Sequence, residues 1–398
     1  MSVEIGGHVE PGFEGVRDAF ARNFTEHDDI GAGVALHVDG HKVVDLWGGQ
    51  ADPANGTPYT DDTLQLVFST TKGATAVCAN LLAQRGLLDV DAPVASYWPE
   101  FAQNGKDEIP VRWLLCHKAG LPTVDKELSY DEVLAWDPLI QALEVQAPLW
   151  EPGTAHGYHA VTYGYLVGEV VRRITGKSLG TFFAEEVAAP LGLEFWIGLP
   201  EEHEHRVAPL IGGIVPSGSA DVDPNLKELM EQFIGPDSLL GRTLSVNGAF
   251  AEPDAFNRRD MHASEVPAAN GITNARSLSR MYAGLVGSVD GSDAGPLLTA
   301  DQVDQARETQ TSGADQCLFF DTTFGLGLFT SSPFAPYGVA GNFGHAGAGG
   351  SVGFADPVNK VGFGYVMNKM NQNLSGDPRT SGLIQATYDA IGVPTEFA

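Results

Sequence analysis

The chain has 398 residues, of which 43% are hydrophobic and 19% charged, and its formal charge at pH 7 is −28. A chain of this length and ordinary apolar content can bury a large core, which excludes a disordered tail protein, a collagen-like fibre and a disulfide-stapled miniature domain. The excess of 51 acidic over 23 basic residues opposes binding to nucleic acid or to an anionic bilayer. We therefore expect neither nucleic acid nor membrane as a partner.

The cysteines and the N-terminal residues predict a cytoplasmic location. Cys78, Cys116 and Cys317 are far apart and form no Cys-x-x-Cys pair, which indicates free buried thiols and no zinc site. The first eight residues contain no basic or apolar signal segment, and no stretch approaches the length of a membrane span. Together these features predict a soluble protein in a reducing compartment.

The N-terminal part predicts a helix followed by a β-hairpin. Apolar residues recur at helical spacing over residues 11–27. Two β-rich runs, residues 34–38 and 42–47, flank Asp39-Gly40, a dipeptide that favours a tight hairpin turn.

Helical patterns dominate the middle of the chain and predict a mainly helical inserted domain over residues 72–285. The predicted helices are residues 73–84, 161–174, 179–188 and 276–285. Residues 200–256 form the most irregular and most acidic stretch.

The C-terminal part returns to β character and ends in a helix. Strands are predicted over residues 324–329, 350–354 and 360–366, and a helix over residues 381–391. Strands at both chain ends predict one antiparallel sheet in an α/β sandwich domain made of residues 1–71 and 286–398, with the first and last helices on one face. A cleft between the two domains is the expected active site.

Ser69 and Lys72 are the first chemical candidates, because they open a predicted helix. Their spacing places both side chains on one helical face, where the amine and the helix N-terminus favour a serine alkoxide. A serine N-cap followed by a solvated lysine is the structural alternative, and the Ser-x-x-Lys pattern alone does not decide between them.

Two later segments add chemistry to this pair. Tyr158 follows a Pro-Gly loop just before a predicted helix. A tyrosine beside a lysine can act there as a general base, although an amphipathic tyrosine at a helix start is the alternative. Residues 343–350 read Phe-Gly-His-Ala-Gly-Ala-Gly-Gly and precede a strand, so their backbone can approach a substrate and offer an N–H to an oxyanion.

These segments resemble, in order and approximate spacing, the class C β-lactamase-like serine hydrolases, and most of all the family VIII carboxylesterases and β-lactamase-domain proteins. Residues 84–93, 97–101 and 113–122 also resemble the family, so the similarity covers nearly the whole chain. The resemblance implies a β-lactamase/transpeptidase-like fold, in which an antiparallel sheet flanked by N- and C-terminal helices carries an inserted helical domain. It implies no metal and no cofactor.

Carried over to this chain, the resemblance implies Ser69 as nucleophile, Lys72 as its activating partner and Tyr158 as proton shuttle. The backbone N–H groups of Ser69 and Ala348 are the implied oxyanion hole. The implied reaction is acyl transfer through an acyl-serine, with water as the usual acceptor.

Two departures from the lactamase pattern bear on the substrate. Position 160 is Ala, where such lactamases carry the asparagine of Tyr-x-Asn. His345 stands in place of the lysine of Lys-Thr-Gly; we expect it to bind the substrate together with Gly347, or to hydrogen-bond toward Tyr158. Because both departures remove groups that recognise a β-lactam, an esterase acting on short-chain acyl esters is favoured.

Several other residues are assigned structural roles. Ser351 lies in a Gly-x-Ser-x-Gly pattern, but a strand follows it instead of the helix of an α/β-hydrolase, so it is not the expected nucleophile. Residues 201–205 lack the spacing of a metal motif and indicate solvated surface. The remaining residues, expected to be structural or to line the cleft rim, are Cys116, His117, His156, His159, Asp89 and Asp91.

Three functions stay open on the sequence. An esterase is preferred, while an amide, peptide or β-lactam hydrolase or an acyltransferase uses the same motifs and differs only in pocket and acceptor. A non-catalytic protein that binds acyl ligands or a protein partner is the third, disfavoured because it would have no chemical need for Ser69, Lys72 and Tyr158 together. The expected partner is a small ester; the sequence specifies neither the natural substrate nor a homo-oligomer.

Overall fold

A computed structural model describes residues 3–213 and 235–397 of the chain. Its strands are β1 Ile5–Val9, β2 Gly31–Val38, β3 His41–Asp52, β4 Thr57–Pro58, β5 Leu64–Leu66, β6 Phe195–Trp196, β7 Val207–Ala208, β8 Ile272–Thr273, β9 Thr311–Ala314, β10 Asp321–Phe324, β11 Phe329–Thr330, β12 Phe343–Ala346, β13 Val352–Asp356 and β14 Val361–Met367. Its α-helices are α1 Glu14–Glu26, α2 Thr71–Gln84, α3 Val111–Leu115, α4 Tyr130–Leu134, α5 Asp137–Val145, α6 Thr162–Thr175, α7 Leu179–Phe183, α8 Ala189–Leu191, α9 Leu239–Ser245, α10 Arg259–Ala263, α11 Ala275–Val286, α12 Ala300–Arg307 and α13 Pro378–Ile391.

One large antiparallel sheet joins the two ends of the chain. Its strands follow the order β1-β3-β2-β14-β13-β12-β11-β10-β9, and β4 pairs with β3. The C-terminal strand β14 pairs with the N-terminal strand β2, with Tyr365 opposite Val34. The predicted antiparallel sheet and its β-lactamase/transpeptidase-like arrangement are therefore confirmed. A second, small sheet has the order β6-β8-β5-β7.

Helices cover both faces of the large sheet. On one face α1 packs against α13, and the Asn23 side chain donates to the Arg379 carbonyl at 3.2 Å. On the other face α11 packs against β14, β2 and β13. The sheet accepts this helix closely because glycines face it: a Cβ on Gly364 would lie 2.5 Å from the Ala275 carbonyl oxygen.

Two predicted boundaries differ from the structure. The sequence placed residues 276–285 in the helical insertion of residues 72–285, yet α11 packs mainly on the sheet, through contacts between residues far apart in sequence. The strand predicted over residues 324–329 is the turn between β10 and β11, because Gly327 takes a φ of 85° and Gly325 packs against the Ala306 carbonyl. Of the irregular stretch 200–256, residues 214–234 lie outside the described residues.

The helical part places one buried helix behind the site. Nearly every residue of α2 is buried, and the helix packs against α6 and α7. The three cysteines are free and buried, as predicted. In the described part of the chain, no helix is long and apolar enough to cross a membrane.

Candidate active site

Ser69 lies in a single 3-10 turn, Phe68–Thr70, that leads directly into α2. Phe68 has a φ of 44°, in the left-handed region that a bulky residue rarely occupies. This bend brings the chain from β5 into the helix and leaves Ser69 on the wall of a cavity. Ser69 does not cap α2, since the N-cap residue is Thr70 and no side chain makes a capping hydrogen bond there. The N-cap alternative for Ser69 is therefore excluded.

Lys72 is fully buried in the first turn of α2, and three oxygens surround its amine. The Nζ atom lies 3.1 Å from Ser69 Oγ, 2.6 Å from the carbonyl oxygen of Ala160 and 3.0 Å from that of Ala268. The predicted Ser69–Lys72 pair is thus in hydrogen-bonding contact, and two backbone carbonyls hold the amine in place.

Burial holds the pKa of Lys72 well below its ordinary value, because the low-dielectric interior disfavours the charged ammonium. A neutral amine has two N–H donors and one lone pair. The carbonyls of Ala160 and Ala268 take the two N–H groups, which leaves the lone pair for the Ser69 hydroxyl proton. The arrangement therefore suits a general base acting on Ser69.

Tyr158 lies in the loop before α6, and its phenol hydrogen-bonds with Ser69. The Lys72 Nζ atom lies 4.7 Å from the centre of the Tyr158 ring. Burial raises the pKa of Tyr158, so at neutral pH its side chain is a phenol that can donate a proton. Ser69, Lys72 and Tyr158, brought together here, form a connected group that can pass a proton between them.

A carboxylate that the sequence analysis did not single out fixes the backbone of Tyr158. Asp315 is 2% exposed, and its Oδ1 accepts the N–H groups of Tyr158 at 3.0 Å, Cys317 at 2.8 Å and Leu318 at 2.9 Å. Its Oδ2 accepts the hydroxyl of Thr322 at 3.2 Å. Since 157 residues separate Asp315 from Tyr158, no local pattern signals this contact.

Removing the Asp315 carboxylate is expected to impair catalysis through the position of Tyr158. We expect Asp315→Ala to lower kcat by ~10-fold to 100-fold, because displacements of about 1 Å can have effects of that size. Asp315→Asn keeps one oxygen that can accept the three N–H groups, so it should retain most of the activity. Steady-state kinetics of both variants test this; equal losses in the two would contradict a role that depends on the Oδ1 atom.

The turn of residues 347–351, between β12 and β13, forms the opposite wall. Ala348 lines the same cavity as Ser69, and no acceptor within residues 3–213 or 235–397 takes its N–H. Ser351 ties this turn to the nucleophile: its hydroxyl donates to the Val67 carbonyl at 2.9 Å and lies 3.0 Å from Thr70 Oγ1. Ser351 is buried and fully engaged, which agrees with its assignment as a structural residue.

His345 and Gly347 do not take the positions expected for substrate contact. Neither lines the cavity. The Gly347 N–H donates to the Ser351 carbonyl at 2.7 Å, so it is not available to a substrate. His345 is fully buried in β12, and its Nδ1 pairs at 2.7 Å with the Ala346 carbonyl. Its ring centre is 6.2 Å from that of Tyr158, and no described residue partners its Nε2.

The other histidines and acidic residues are structural in this fold. His159 pairs through Nδ1 with the Gly157 carbonyl at 2.6 Å and accepts the Leu121 N–H through Nε2 at 2.9 Å, which fixes a neutral ring. His156 pairs with two threonine hydroxyls. The acidic run is a surface 3-10 helix, Glu201–Arg206. Across the part of the chain that the structure describes, no group of three or more metal-ligating side chains assembles.

The cavity beside Ser69 and Tyr158 has a volume of about 70 Å³ and an apolar wall. Its larger lining side chains are Phe256, Phe329, Phe334, Leu244, Leu318 and Leu374. Ala160 also lines it, at the position where the lactamase pattern has an asparagine. Among the described lining residues, none carries a charge. These walls come from separate loops, so sequence reasoning missed them.

Comparisons with known proteins agree with this site. Residues 18–386 match the Beta-lactamase family. Esterase/beta-lactamase LipL from Mycobacterium tuberculosis is 35% identical over 72% of this chain, and the match spans 66% of LipL; a beta-lactamase from Escherichia coli is 30% identical over 45% of this chain and 46% of its own length. The chain thus spans less than two thirds of these relatives.

Solved structures match over nearly the full chain. A family VIII carboxylesterase is 37% identical, with a TM-score of 0.86, over 97% of this chain and 100% of that one. EstA from Arthrobacter nitroguajacolicus Rue61a is 35% identical, with a TM-score of 0.86, over 97% of this chain and 99% of that one. The fold, the site geometry and the family match lead to one conclusion: this chain belongs to the Beta-lactamase family and has the serine-hydrolase fold of its carboxylesterase neighbours.

Proposed function

We propose that this protein is a carboxylesterase that cleaves short-chain acyl esters through an acyl-serine on Ser69. The observation that carries the proposal is the uncharged, apolar cavity beside a serine, a buried neutral lysine and a tyrosine. Its volume of about 70 Å³ is roughly half of the ~150 Å³ apolar cavity that admits a benzene ring. A short acyl group fits this size.

In the acylation step, Lys72 takes the Ser69 proton while Oγ attacks the ester carbonyl. The C–O bond to the leaving alcohol then breaks, and the Tyr158 phenol donates a proton to that oxygen. The ammonium of Lys72 returns its proton to Tyr158, so the net transfer is from Ser69 to the alcohol. Deacylation repeats these roles with water as nucleophile and Ser69 as the leaving group.

The negative charge of the tetrahedral intermediate is assigned to the N–H groups of Ser69 and Ala348. Both residues line the cavity, and the Ala348 N–H has no acceptor among the described residues. A preorganised donor of this kind contributes about 10²-fold to 10³-fold in kcat.

The same cavity disfavours β-lactams as the main substrates. Those antibiotics carry a carboxylate, and no lysine, arginine or histidine lines the described cavity wall. The formal charge of −28 also favours the approach of neutral esters over anions. A non-catalytic binder is disfavoured because burying an unpaired amine such as Lys72 costs stability and serves no purpose in passive binding.

A direct comparison of substrates tests the proposal. We expect kcat/KM for p-nitrophenyl butyrate to exceed that for a chromogenic cephalosporin by ~100-fold or more, because two missing polar contacts are together worth roughly 3 kcal/mol. Ala160→Asn, which restores the Tyr-x-Asn pattern, is the matched variant and should narrow this ratio. A wild-type protein that turns over the cephalosporin faster than the ester would contradict the proposal.

A further inference from the structure

The turn of residues 347–351 needs external support to hold Ala348 in place. Gly349 and Gly350 have φ of 86° and 125°, conformations open to glycine and rare for other residues. Glycines make such a turn flexible, whereas an oxyanion donor must be fixed before the reaction begins. The Gly347 N–H is bound to the Ser351 carbonyl, and Ser351 braces the side of the turn that faces the nucleophile.

A buried guanidinium braces the other side of the turn. Arg379, in the first turn of α13, is 0% exposed, and its Nη2 donates to the Gly349 carbonyl and, at 2.7 Å, to Asp377 Oδ2. Its Nε donates to Asp377 Oδ1 at 3.0 Å. Its Nη1 donates to Asp29 Oδ1 at 3.1 Å and to the Lys369 carbonyl at 2.8 Å.

These contacts fix the guanidinium from several directions. Two carboxylates, from Asp29 and Asp377, balance and orient its charge, so its plane has little freedom. The glycine at position 350 is required by this packing, since a Cβ there would lie 2.5 Å from Asp377 Oδ2. The Gly349 carbonyl, which also accepts the Asn371 N–H at 3.0 Å, is therefore held one residue beyond Ala348.

We propose that Arg379 is a positioning residue for the oxyanion hole: through the Gly349 carbonyl, the C-terminal helix fixes the turn that aims the Ala348 N–H. This inference rests on the proposed function, since it assumes that Ala348 serves an acyl-serine reaction. A charge-assisted hydrogen bond from a buried arginine suits the task, because it is stronger than a neutral one and its planar fork fixes direction.

The test replaces Arg379 with lysine, which keeps the positive charge between Asp29 and Asp377 but loses the fork. We expect Arg379→Lys to lower kcat for p-nitrophenyl butyrate by about 10-fold or more, with KM within about 2-fold of wild type. Its affinity for a trifluoromethyl ketone, which forms a tetrahedral adduct with the serine, should fall by the same factor as kcat. Its affinity for the matching methyl ketone should not change.

Two further variants separate positioning from stability. Asn23→Ala removes the side-chain hydrogen bond to the Arg379 carbonyl and loosens α13 without touching the guanidinium, so kcat should stay at the wild-type value while the melting temperature falls. Asp377→Asn keeps an N-cap for α13 but weakens the grip on Arg379, and should give an intermediate loss of kcat. If Arg379→Lys does not fold, the result for Asp377→Asn decides.

Three outcomes would overturn the inference. One is wild-type kcat and ketone affinity in folded Arg379→Lys; another is wild-type kcat in Asp377→Asn when Arg379→Lys does not fold. The third is an equal loss of kcat in Asn23→Ala, which would reduce Arg379 to a support for the helix. A wild-type protein without ester hydrolysis is a different result, because it contradicts the proposed function itself.

Discussion

Replacing Ser69 with alanine is expected to abolish ester hydrolysis and labelling by a fluorophosphonate probe. The loss in kcat should be about 10⁴-fold or more, because removing a serine nucleophile eliminates the covalent route and leaves only binding and the oxyanion hole. Hydrolysis of p-nitrophenyl butyrate measures the activity. Peptide mass mapping of the labelled wild-type protein should place the probe on Ser69, which lies 3.1 Å from the amine of Lys72.

Ser351→Ala is the matched control for this experiment. Ser351 holds the Val67 carbonyl and the Thr70 hydroxyl, so its loss should cost on the order of 1 kcal/mol of stability and lower kcat modestly. Labelling at Ser69 should persist in this variant. Labelling at Ser351, or full activity in Ser69→Ala, would mean that the nucleophile has been misassigned.

The reactive group could be predicted because its signals are local. Ser69 and Lys72 are one helical turn apart, and the Pro-Gly loop before Tyr158 is visible in the sequence. The hairpin of β2 and β3 was equally predictable, since Asp39-Gly40 specifies its turn. Patterns of this kind need no knowledge of what lies elsewhere in the chain.

The residues that support the site depend on distant contacts and could not be predicted in this way. Asp315 reaches Tyr158 across 157 positions, and Arg379 reaches Asp29 across 350. Neither residue lies in a pattern that marks it out. The packing of α11 on the sheet has the same origin, because the glycines that admit it lie in β13 and β14.

The position of His345 shows how a motif can mislead about contact. The pattern aligns it with a substrate-binding lysine, yet the side chain packs behind the cavity wall, with its ring centre 4.6 Å from that of Phe329. Burial keeps the pKa of His345 well below its usual value, so the ring is neutral and cannot hold a substrate carboxylate. This placement is consistent with the preference for uncharged esters.

Replacing Lys72 with methionine is expected to abolish hydrolysis and to change how stability depends on pH. The activity should fall by about 10³-fold or more, because methionine cannot accept the Ser69 proton. In the wild type, activity needs the neutral amine, so it should be lost as the pH falls through the pKa of Lys72. Burial holds that pKa well below 10.5, so activity should already be present at neutral pH.

The linked effect on stability has a definite sign. Between the lowered pKa of Lys72 in the folded state and the ordinary value of 10.5, the unfolded chain binds one more proton than the folded chain. The free energy of unfolding of the wild type must therefore rise with pH relative to Lys72→Met, by up to ~1.4 kcal/mol per pH unit. Urea denaturation of both proteins between pH 7 and pH 9, flagged here as about two units of that window, measures the difference.

Lys126→Met is the control, since Lys126 is exposed and its variant should unfold with the same pH dependence as the wild type. A Lys72→Met protein that also parallels the wild type over this range would mean that Lys72 stays charged in the folded state. An ammonium would then donate to Ala160, Ala268 and Ser69 alike, and it could not remove the serine proton. The slope of stability against pH therefore decides whether Lys72 is the base.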